Sequence, residues 1–364
     1  MKFRCEREIL AEALTTAGRA ATSRTGTLPV LSGVRLDVSD GELTVTGTDL
    51  ELTIRLTVPV HSDADGSAVV PARLIGDIVR ALPAGAVEIA LGDDEMAISA
   101  GRSQFSVRPL SLSDYPAQVE PDAEPVTLQS SEVADALRQV VRAASTDDAR
   151  AVLTGVLIAA DDDGLKMVAT DSYRLAVRDL PQSSMLGAGQ KVLVPGRALA
   201  ELQRILSGDD ELTVRLGARE AVFEAGGTRL TTRLIEGEYP NYRNLLPSAY
   251  PNMLTVGREA LLEALRRVKI LAQDSTPVRL TLAGDSLQLT AITQDVGNAH
   301  EEIDASYDGA EMTVAFNPDY LASGIDAVEG DEITLATMDP MKPAVLRGVG
   351  HDEYLYLLMP VRVP

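Results

Sequence analysis

The chain has 364 residues, of which 45% are apolar and 24% charged, and its formal net charge at pH 7 is −21. This composition is typical of a folded protein of about two to four domains and excludes a disordered chain. The single cysteine, Cys5, and three scattered histidines exclude a disulfide framework and a cysteine-based metal knuckle. No apolar run approaches the roughly 18 residues of a membrane helix, and the charged N-terminus excludes a signal peptide. We therefore expect a cytoplasmic protein without a metal or other cofactor.

A repeat with a period near 123 residues organises the predicted elements. Each copy begins with a short strand and an amphipathic helix, continues with alternating strands around a turn, and then enters a second helix. Pro71, Pro195 and Pro318 mark the start of that second helix at intervals of 124 and 123 residues. The predicted helices span residues 5–20, 71–82, 131–143, 196–206, 257–269 and 317–328.

Each copy is therefore predicted to be an α+β domain in which two helices lie on antiparallel sheet, with a weaker half-repeat inside it. Stretches typical of linkers occur at Pro116–Pro125 and Pro247–Asn252. They place the three domains at residues 1–120, 125–248 and 250–364.

Charge is distributed unevenly along the chain. The six helix windows contain 12 Lys and Arg against 11 Asp and Glu, whereas the remainder contains 21 against 43. The helices are thus nearly neutral, and the acidity lies almost entirely outside them. A surface formed by these helices would tolerate a polyanion that the rest of the protein repels.

Several longer motifs, in order, resemble those of the bacterial DNA sliding clamps, the beta subunits of DNA polymerase III. The resemblance covers the whole chain, and its most specific stretches are TLPVLSGVRLDV (27–38), GTDLE (47–51), VPAR (70–73), ATDSYRLAV (169–177), GEYPNYRNLLP (237–247) and YLLMPVR (356–362). It implies a non-catalytic processivity factor made of three repeated clamp domains.

The resemblance also implies a head-to-tail homodimer that closes a six-domain ring around duplex DNA. A domain of about 120 residues is roughly 35 Å across, so six in a circle leave a hole of roughly 35 Å. A duplex is roughly 20 Å wide and would pass through. Implied partners are double-stranded DNA bound without sequence specificity, the catalytic subunit of DNA polymerase III, the clamp loader and other proteins with clamp-binding motifs.

Three groups of site residues follow from the resemblance. Arg24, Arg73 and Arg150 match DNA-facing positions, and the helix arginine Arg197 is assigned with them. Ring closure is assigned to Gln104, Phe105 and Val107 of the first domain and to Ile270, Leu271, Glu301 and Glu302 of the third, with Arg102 facing the glutamates.

The third group is an apolar pocket between the second and third domains, which captures short hydrophobic peptides of the polymerase and other factors. Leucine and methionine supply adaptable apolar surface, and arginine at the rim binds backbone or carboxylate oxygens. The matching positions are Leu153, Thr170, Tyr173, Arg174, Leu175, Pro240, Leu245, Asn317, Tyr320, Met341, Met359, Pro360, Val361 and Arg362.

Two departures from the family pattern lie at this pocket. Ser172-Tyr173 stands where Gly-His is frequent, and Asn244 where Arg or Gln is usual. Tyr173 would fill more of the pocket mouth than a smaller ring. An alternative interpretation is therefore a duplicated clamp whose altered pocket confers tolerance to a clamp-binding inhibitor.

Two other classes of function stay open from the residues alone. Acidic turns such as Asp161–Asp163 and Asp93-Asp94 suggest a glycosidase, but the absence of tryptophan and an aromatic content of 4% argue against a sugar-binding cleft. The second class is a peptide-binding scaffold that never contacts DNA. No phosphate-binding loop, dinucleotide motif, HExxH or GxSxG sequence occurs, which favours a protein without catalysis.

Overall fold

The computed structural model describes residues 1–21, 28–117, 123–161, 164–181, 183, 185–187, 189–206, 211–246, 249–272 and 276–362. Six α-helices occur in the described residues: α1 (Arg7–Gly18), α2 (Ala72–Ala81), α3 (Ser130–Val140), α4 (Gly196–Ile205), α5 (Arg258–Lys269) and α6 (Pro318–Ala327). All six lie inside or within one residue of the windows predicted from the sequence. Short 3-10 segments occupy Pro29–Ser32, Val141–Ala143, Asp148–Thr154 and Tyr242–Leu245.

Strands of 4 to 12 residues make up most of the rest, and each pairs antiparallel with its neighbours. Those before residue 130 are β1 (Lys2–Glu6), β2 (Gly33–Ser39), β3 (Glu42–Thr48), β4 (Leu52–Pro59), β5 (His61–Ala64), β6 (Gly66–Pro71), β7 (Ala86–Leu91), β8 (Met96–Ala100), β9 (Ser103–Val107) and β10 (Pro125–Gln129). The middle set comprises β11 (Gly155–Asp161), β12 (Gly164–Thr170), β13 (Arg174–Pro181), β14 (Lys191–Pro195), β15 (Glu211–Leu216), β16 (Glu220–Ala225) and β17 (Thr228–Arg233). The last set comprises β18 (Asn252–Gly257), β19 (Val278–Ala283), β20 (Ser286–Thr293), β21 (Gly297–Asp308), β22 (Met312–Phe316), β23 (Glu332–Thr337), β24 (Ala344–Gly348) and β25 (His351–Leu358).

The chain divides into two compact units. Unit 1 comprises Met1–Ser131 and Ala200–Leu234. It contains a five-stranded sheet, in the order β5-β1-β7-β8-β9, and an eight-stranded sheet, in the order β10-β15-β16-β17-β4-β3-β2-β6. The eight-stranded sheet forms because β17 pairs with β4, so strands distant in sequence share one sheet.

Unit 2 comprises Glu132–Leu199 and Ile235–Pro364. Its strands run in the order β14-β11-β12-β13-β25-β24-β23-β18-β21-β20-β19-β22. Here β25 pairs with β13 and joins two stretches distant in sequence, as β17 and β4 do in unit 1. The long strand β21 pairs with β20 through residues 297–304 and with β18 through residues 305–308.

Helices pack on the sheets through buried side chains spaced three or four residues apart, and glycine permits the closest contacts. In unit 1, Leu10, Leu14 and Ala17 of α1 are buried against the sheets. A Cβ at Gly47 of β3 would lie 2.0 Å from the Ala17 carbonyl oxygen, so only glycine allows α1 to approach the sheet this closely. In unit 2, a Cβ at Gly324 of α6 would lie 2.4 Å from the ring of Tyr356.

Candidate functional site

A tight turn between β12 and β13 positions the first pocket residues. The Asp171 carboxylate accepts hydrogen bonds from the backbone N–H groups of Tyr173 (2.9 Å) and Arg174 (3.1 Å). The Thr170 hydroxyl accepts from the N–H of Ser172 (3.1 Å), which has a positive φ of 80°. The turn leaves the Tyr173 side chain 58% exposed at the surface.

Three side chains stack beside this turn. The Arg174 guanidinium lies 4.4 Å from the centre of the Tyr320 ring, and the Tyr173 ring stacks on Tyr320 with centroids 6.4 Å apart. Arg174 Nε also donates to Asp171 Oδ2 at 3.0 Å, and the Tyr356 hydroxyl donates to the Tyr320 carbonyl oxygen at 3.0 Å. The result is a surface that is both aromatic and cationic.

Electrostatics keep this surface in one charge state near neutral pH. Burial lowers the pKa of Arg174, but Tyr356 and Asp171 outweigh burial and raise that pKa above its ordinary value. Burial raises the pKa of Tyr356 to about 12, with Arg174 acting in the opposite direction. Arg174 is therefore a permanent cation, and Tyr356 remains a neutral hydrogen-bond donor to the Tyr320 carbonyl oxygen.

The C-terminal run lies next to the stack and exposes apolar side chains. The Met359 N–H donates to the Tyr173 carbonyl oxygen (2.9 Å), and the Val361 N–H donates to that of Ala315 (2.8 Å). These bonds hold the backbone while the Met359 and Val361 side chains stay exposed. Exposed apolar groups on fixed backbone are typical of a binding surface for an apolar ligand.

The other predicted pocket residues fall into three groups. Leu153 and Thr170 are buried, and Leu175 is fully buried in a cluster with Leu157, Val168 and Leu357, so these side chains support the surface from below. Asn317 caps α6 by accepting from the N–H groups of Asp319 (2.9 Å) and Tyr320 (3.2 Å). The remaining side chains are exposed or half-buried: Pro240, Leu245, Met341, Pro360 and Arg362.

The predicted DNA-contacting arginines differ in their surroundings. Arg24 lies outside the described residues. Arg73 begins the exposed face of α2 with a side chain that is 97% exposed, and its one ion pair with a described residue is a long contact, 3.9 Å, to Asp77. Arg197 is exposed on α4. Arg150 donates to Asp147 (3.3 Å) and to the Ser172 hydroxyl (3.1 Å), which brings it to the turn that carries Tyr173.

Most other cations of the helices are paired with acids. Arg80 pairs with Asp77, Arg142 with Asp326 (2.6 Å) and Lys269 with Asp319. Further pairs join Arg19 and Arg204 to Glu201, Arg138 to Asp135, and Arg267 to Glu263 and Glu301. The near neutrality predicted for the helices thus corresponds to ion pairs between these cations and nearby carboxylates.

The residues predicted for ring closure lie at strand edges and one helix end. Gln104 and Phe105 are exposed on β9, an edge strand, whereas Val107 is buried in the core of unit 1. Ile270 follows α5 and is 80% exposed, and Leu271 beside it is half-buried.

The two glutamates assigned with them lie on β21 and are not equivalent. Glu301 accepts two hydrogen bonds from Arg267 (2.9 and 3.0 Å), which lower the pKa of its carboxyl. Glu302 is exposed. Glu302 is therefore the better placed of the two to pair with a cation of another molecule.

Sequence reasoning did not identify Asp171 and Tyr356 as part of the pocket. Asp171 is buried and organises Tyr173 and Arg174, and Tyr356 holds Tyr320 from below. The internal repeat contained a signal that could have identified Asp171. Thr48-Asp49 forms the same turn as Thr170-Asp171, and Asp49 likewise accepts hydrogen bonds from two backbone N–H groups.

The carboxylate turns do not form a catalytic site in the described residues. Asp161 is paired with Lys166 at 2.8 Å, and Asp162 and Asp163 lie outside the described residues. Within the described part of the chain, no three His, Cys, Asp or Glu side chains are grouped to hold a metal ion. None of the described helices is long and apolar enough to cross a membrane.

Family models match nearly the whole chain. They describe the N-terminal domain of the DNA polymerase III beta subunit at residues 1–119, its central domain at 127–241 and its C-terminal domain at 243–362. Among curated relatives, the beta sliding clamp of Streptomyces coelicolor is 35% identical over 100% of both chains. That of Staphylococcus aureus is 31% identical over 100% of this chain and 99% of its own.

Solved structures of sliding clamps superpose on this chain over its full length. The DNA polymerase sliding clamp of Bacillus subtilis superposes with a TM-score of 0.91 at 28% identity, covering 100% of both chains. A sliding clamp of Bartonella birtlesii, solved bound to griselimycin, gives a TM-score of 0.92 at 30% identity with the same coverage.

Proposed function

Because the chain belongs to the family of bacterial DNA sliding clamps, the beta subunits of DNA polymerase III, and consists of three clamp domains, we propose that it closes around duplex DNA as a homodimer and tethers the replicative polymerase. It would slide along the duplex without sequence preference and without catalysis.

The observation that carries this proposal is the way consecutive domains are joined. The last strand of the central domain, β17, pairs with β4 of the first domain, and the last strand of the third domain, β25, pairs with β13 of the central one. Among the described residues, one strand of each type has no partner in another domain: β9, the last strand of the first domain, and β21 of the third domain. β9 pairs only with β8, and residues 297–304 of β21 pair only with β20, among the described residues. The two free edges are complementary, which supports head-to-tail closure by two copies.

Equivalent hydrogen bonds predict the register of that closure. The backbone N–H of Arg233 donates to the Glu51 carbonyl oxygen (3.0 Å), and that of Met359 donates to the Tyr173 carbonyl oxygen (2.9 Å) at the equivalent position of the repeat. We expect the equivalent bond of the dimer to run from the N–H of Arg108 to the carbonyl oxygen of Val296 of the partner subunit. In this register Phe105 lies opposite Ala299, and Arg102 lies opposite Glu302.

The paired helix cations support loose contact with DNA. A duplex carries one negative charge per roughly 1.7 Å, and tight binding requires many uncompensated cations. Arg73 is highly exposed, and Arg150 and Arg197 are assigned with it, whereas most other helix cations share an acid. Such a surface attracts phosphates weakly and reads no bases, which suits sliding.

The surface around Tyr173, Tyr320, Met359 and Val361 is the proposed site for partner peptides. Its aromatic and thioether groups offer apolar area, and Arg174 and Arg362 offer cationic donors for backbone or carboxylate oxygens. We assign to it the polymerase catalytic subunit, the clamp loader and other proteins with clamp-binding motifs, acting in the cytoplasm. The comparisons do not favour an inhibitor-tolerant duplicate over this assignment.

A loading assay tests the proposal. The protein is incubated with a clamp loader, ATP and either nicked circular or linear duplex DNA, and free protein is removed by gel filtration. We expect it to remain on the circle and to be lost from the linear duplex, because only a closed circle prevents sliding off the end. Linearising a loaded circle with a restriction enzyme should release the protein. Equal retention on both DNAs, or on neither, would contradict encirclement.

A further inference from the structure

The methionines of the protein differ sharply in their exposure. The sequence has nine, and all nine lie among the described residues. Three are exposed, namely Met341 (54%), Met359 (38%) and Met253 (38%), and the other six are half-buried or buried. Two of the three exposed residues, Met341 and Met359, belong to the set assigned to the peptide site.

The strand pairing of unit 2 brings these two methionines to one end of the sheet. The first residues of β13 and β24 both lie opposite Leu358, the last residue of β25. Met359 follows Leu358 directly, and Met341 lies three residues before β24 begins. Both therefore lie at the end where the turn with Tyr173 leads into β13.

Hydrogen bonds fix the backbone at both methionines while their side chains stay exposed. The N–H of Met341 donates to Asp339 Oδ1 at 2.8 Å, and the N–H of Met359 donates to the Tyr173 carbonyl oxygen at 2.9 Å. The fold does not require a thioether at this position, because Arg233 makes the bond equivalent to that of Met359. Exposed sulfur is thus a property of this site and not of the repeat.

The other side chains that commonly react with two-electron oxidants are absent or protected. The sequence contains no tryptophan and a single cysteine, Cys5. Cys5 is buried, and burial raises the pKa of its thiol to about 11. Because the thiolate is the reactive form, this thiol is protected near neutral pH. A mild oxidant therefore meets the exposed thioethers first.

From this placement we propose that Met341 and Met359 form an oxidation site at which a peroxide converts the thioethers to sulfoxides and so weakens the binding of partner peptides. The sulfur lone pair forms a bond to one oxygen of hydrogen peroxide, the O–O bond breaks, and the second oxygen leaves as water. The sulfur loses two electrons and the peroxide gains them. The proposal rests on the peptide site proposed above.

The polarity of the sulfoxide is the reason for the loss of binding. An apolar side chain that covers a thioether gains apolar contact, whereas one that covers a sulfoxide removes water from a polar group. Methionine sulfoxide can be reduced back to the thioether by reductases, so the change is reversible. The site would therefore release partner peptides under oxidising conditions and recover them afterwards.

Fluorescence anisotropy of a labelled peptide tests the proposal with the full chain, before and after treatment with hydrogen peroxide. The peptide carries the apolar clamp-binding motif of the polymerase catalytic subunit. We expect the oxidised protein to bind it about tenfold more weakly. Treatment with methionine sulfoxide reductases and dithiothreitol should restore the affinity. Mass spectrometry should find sulfoxide at Met341 and Met359 before it appears at the six less exposed methionines.

Leucine substitutions supply matched variants, because leucine keeps an apolar side chain of similar volume that peroxide does not oxidise. In the double variant Met341→Leu with Met359→Leu, the affinity after peroxide treatment should equal that of the same variant before treatment. Met253→Leu removes a thioether that is as exposed as Met359 but lies on β18, and it should lose affinity on oxidation as the parent does.

The unfolding midpoint, measured by circular dichroism, should be the same before and after oxidation, because both side chains are exposed. Unchanged affinity of the parent once Met341 and Met359 are oxidised would overturn the proposal. So would oxidation that spares these two residues, or a double variant that loses affinity as the parent does. No binding of the peptide by the untreated protein would overturn the peptide site itself, and the oxidation site with it.

Discussion

At the scale of single residues, Asp171 determines the shape of the pocket surface. Its carboxylate is buried, accepts from two backbone N–H groups and pairs with the largely buried Arg174. Asp171→Asn keeps an oxygen for the turn but removes the charge that compensates Arg174. We expect a loss of about 2 kcal/mol in unfolding free energy. That loss corresponds to a fall of about 3 °C in the apparent unfolding midpoint, measured by calorimetry.

The repeat supplies a matched control at Asp49. Asp49 builds the same turn in unit 1, but the position equivalent to Arg174 is Leu52. Because Leu52 carries no charge, Asp49→Asn does not deprive a guanidinium at that position of its partner. Its effect on the unfolding midpoint should therefore be smaller than that of Asp171→Asn. Equal losses for the two variants would show that the turn, and not the ion pair, carries the stability.

At the scale of elements, the residues that follow the first helix of each domain occupy equivalent positions but differ in their chemistry. Arg19 after α1 contacts Glu201, and Arg142 after α3 contacts Asp326. The equivalent residue after α5 is Ile270, five positions beyond a buried leucine as in the other two helices, and it is 80% exposed. We expect Ile270→Ala with Leu271→Ala to produce monomers in sedimentation velocity, because burying each side chain contributes about 1.5–3 kcal/mol.

Two further variants show whether the loss is specific. Val349→Ala removes another exposed apolar side chain, 47% exposed at the turn between β24 and β25, and should leave the dimer intact. Arg102→Glu should weaken the dimer by opposing Glu302 of the partner subunit, and adding Glu302→Arg should restore it. An intact dimer for the double alanine variant, or no rescue by the charge exchange, would contradict the proposed register.

The elements themselves were predictable from the sequence, but their pairing was not. Amphipathic spacing such as Leu261, Leu262 and Leu265 predicted α5 to within one residue, because local periodicity fixes a helix. The pairing of β17 with β4 joins residues far apart in sequence, and no local pattern identifies such a partner. Leu175 likewise lies opposite a residue distant in sequence, Leu357 of β25, so no local pattern identifies that contact either.

At the scale of the whole molecule, the distribution of ion pairs determines how a loaded clamp responds to salt. Binding that relies on cation–phosphate contacts weakens steeply with salt, by a slope of roughly 0.9 per contact on logarithmic axes. Most helix cations in the described residues are paired with acids, and the side chain of Arg73, which is assigned to DNA, is 97% exposed. We therefore expect weak binding to linear duplex with a slope of only about 1–3.

A loaded circle should keep its clamp from 0.1 to 0.5 M salt, because a closed ring needs no attraction to stay on. Arg73→Glu should lower the binding to linear duplex but leave the half-life on the circle unchanged, measured by gel filtration over time. A half-life that falls in parallel with linear affinity would mean that charge, and not closure, retains the protein.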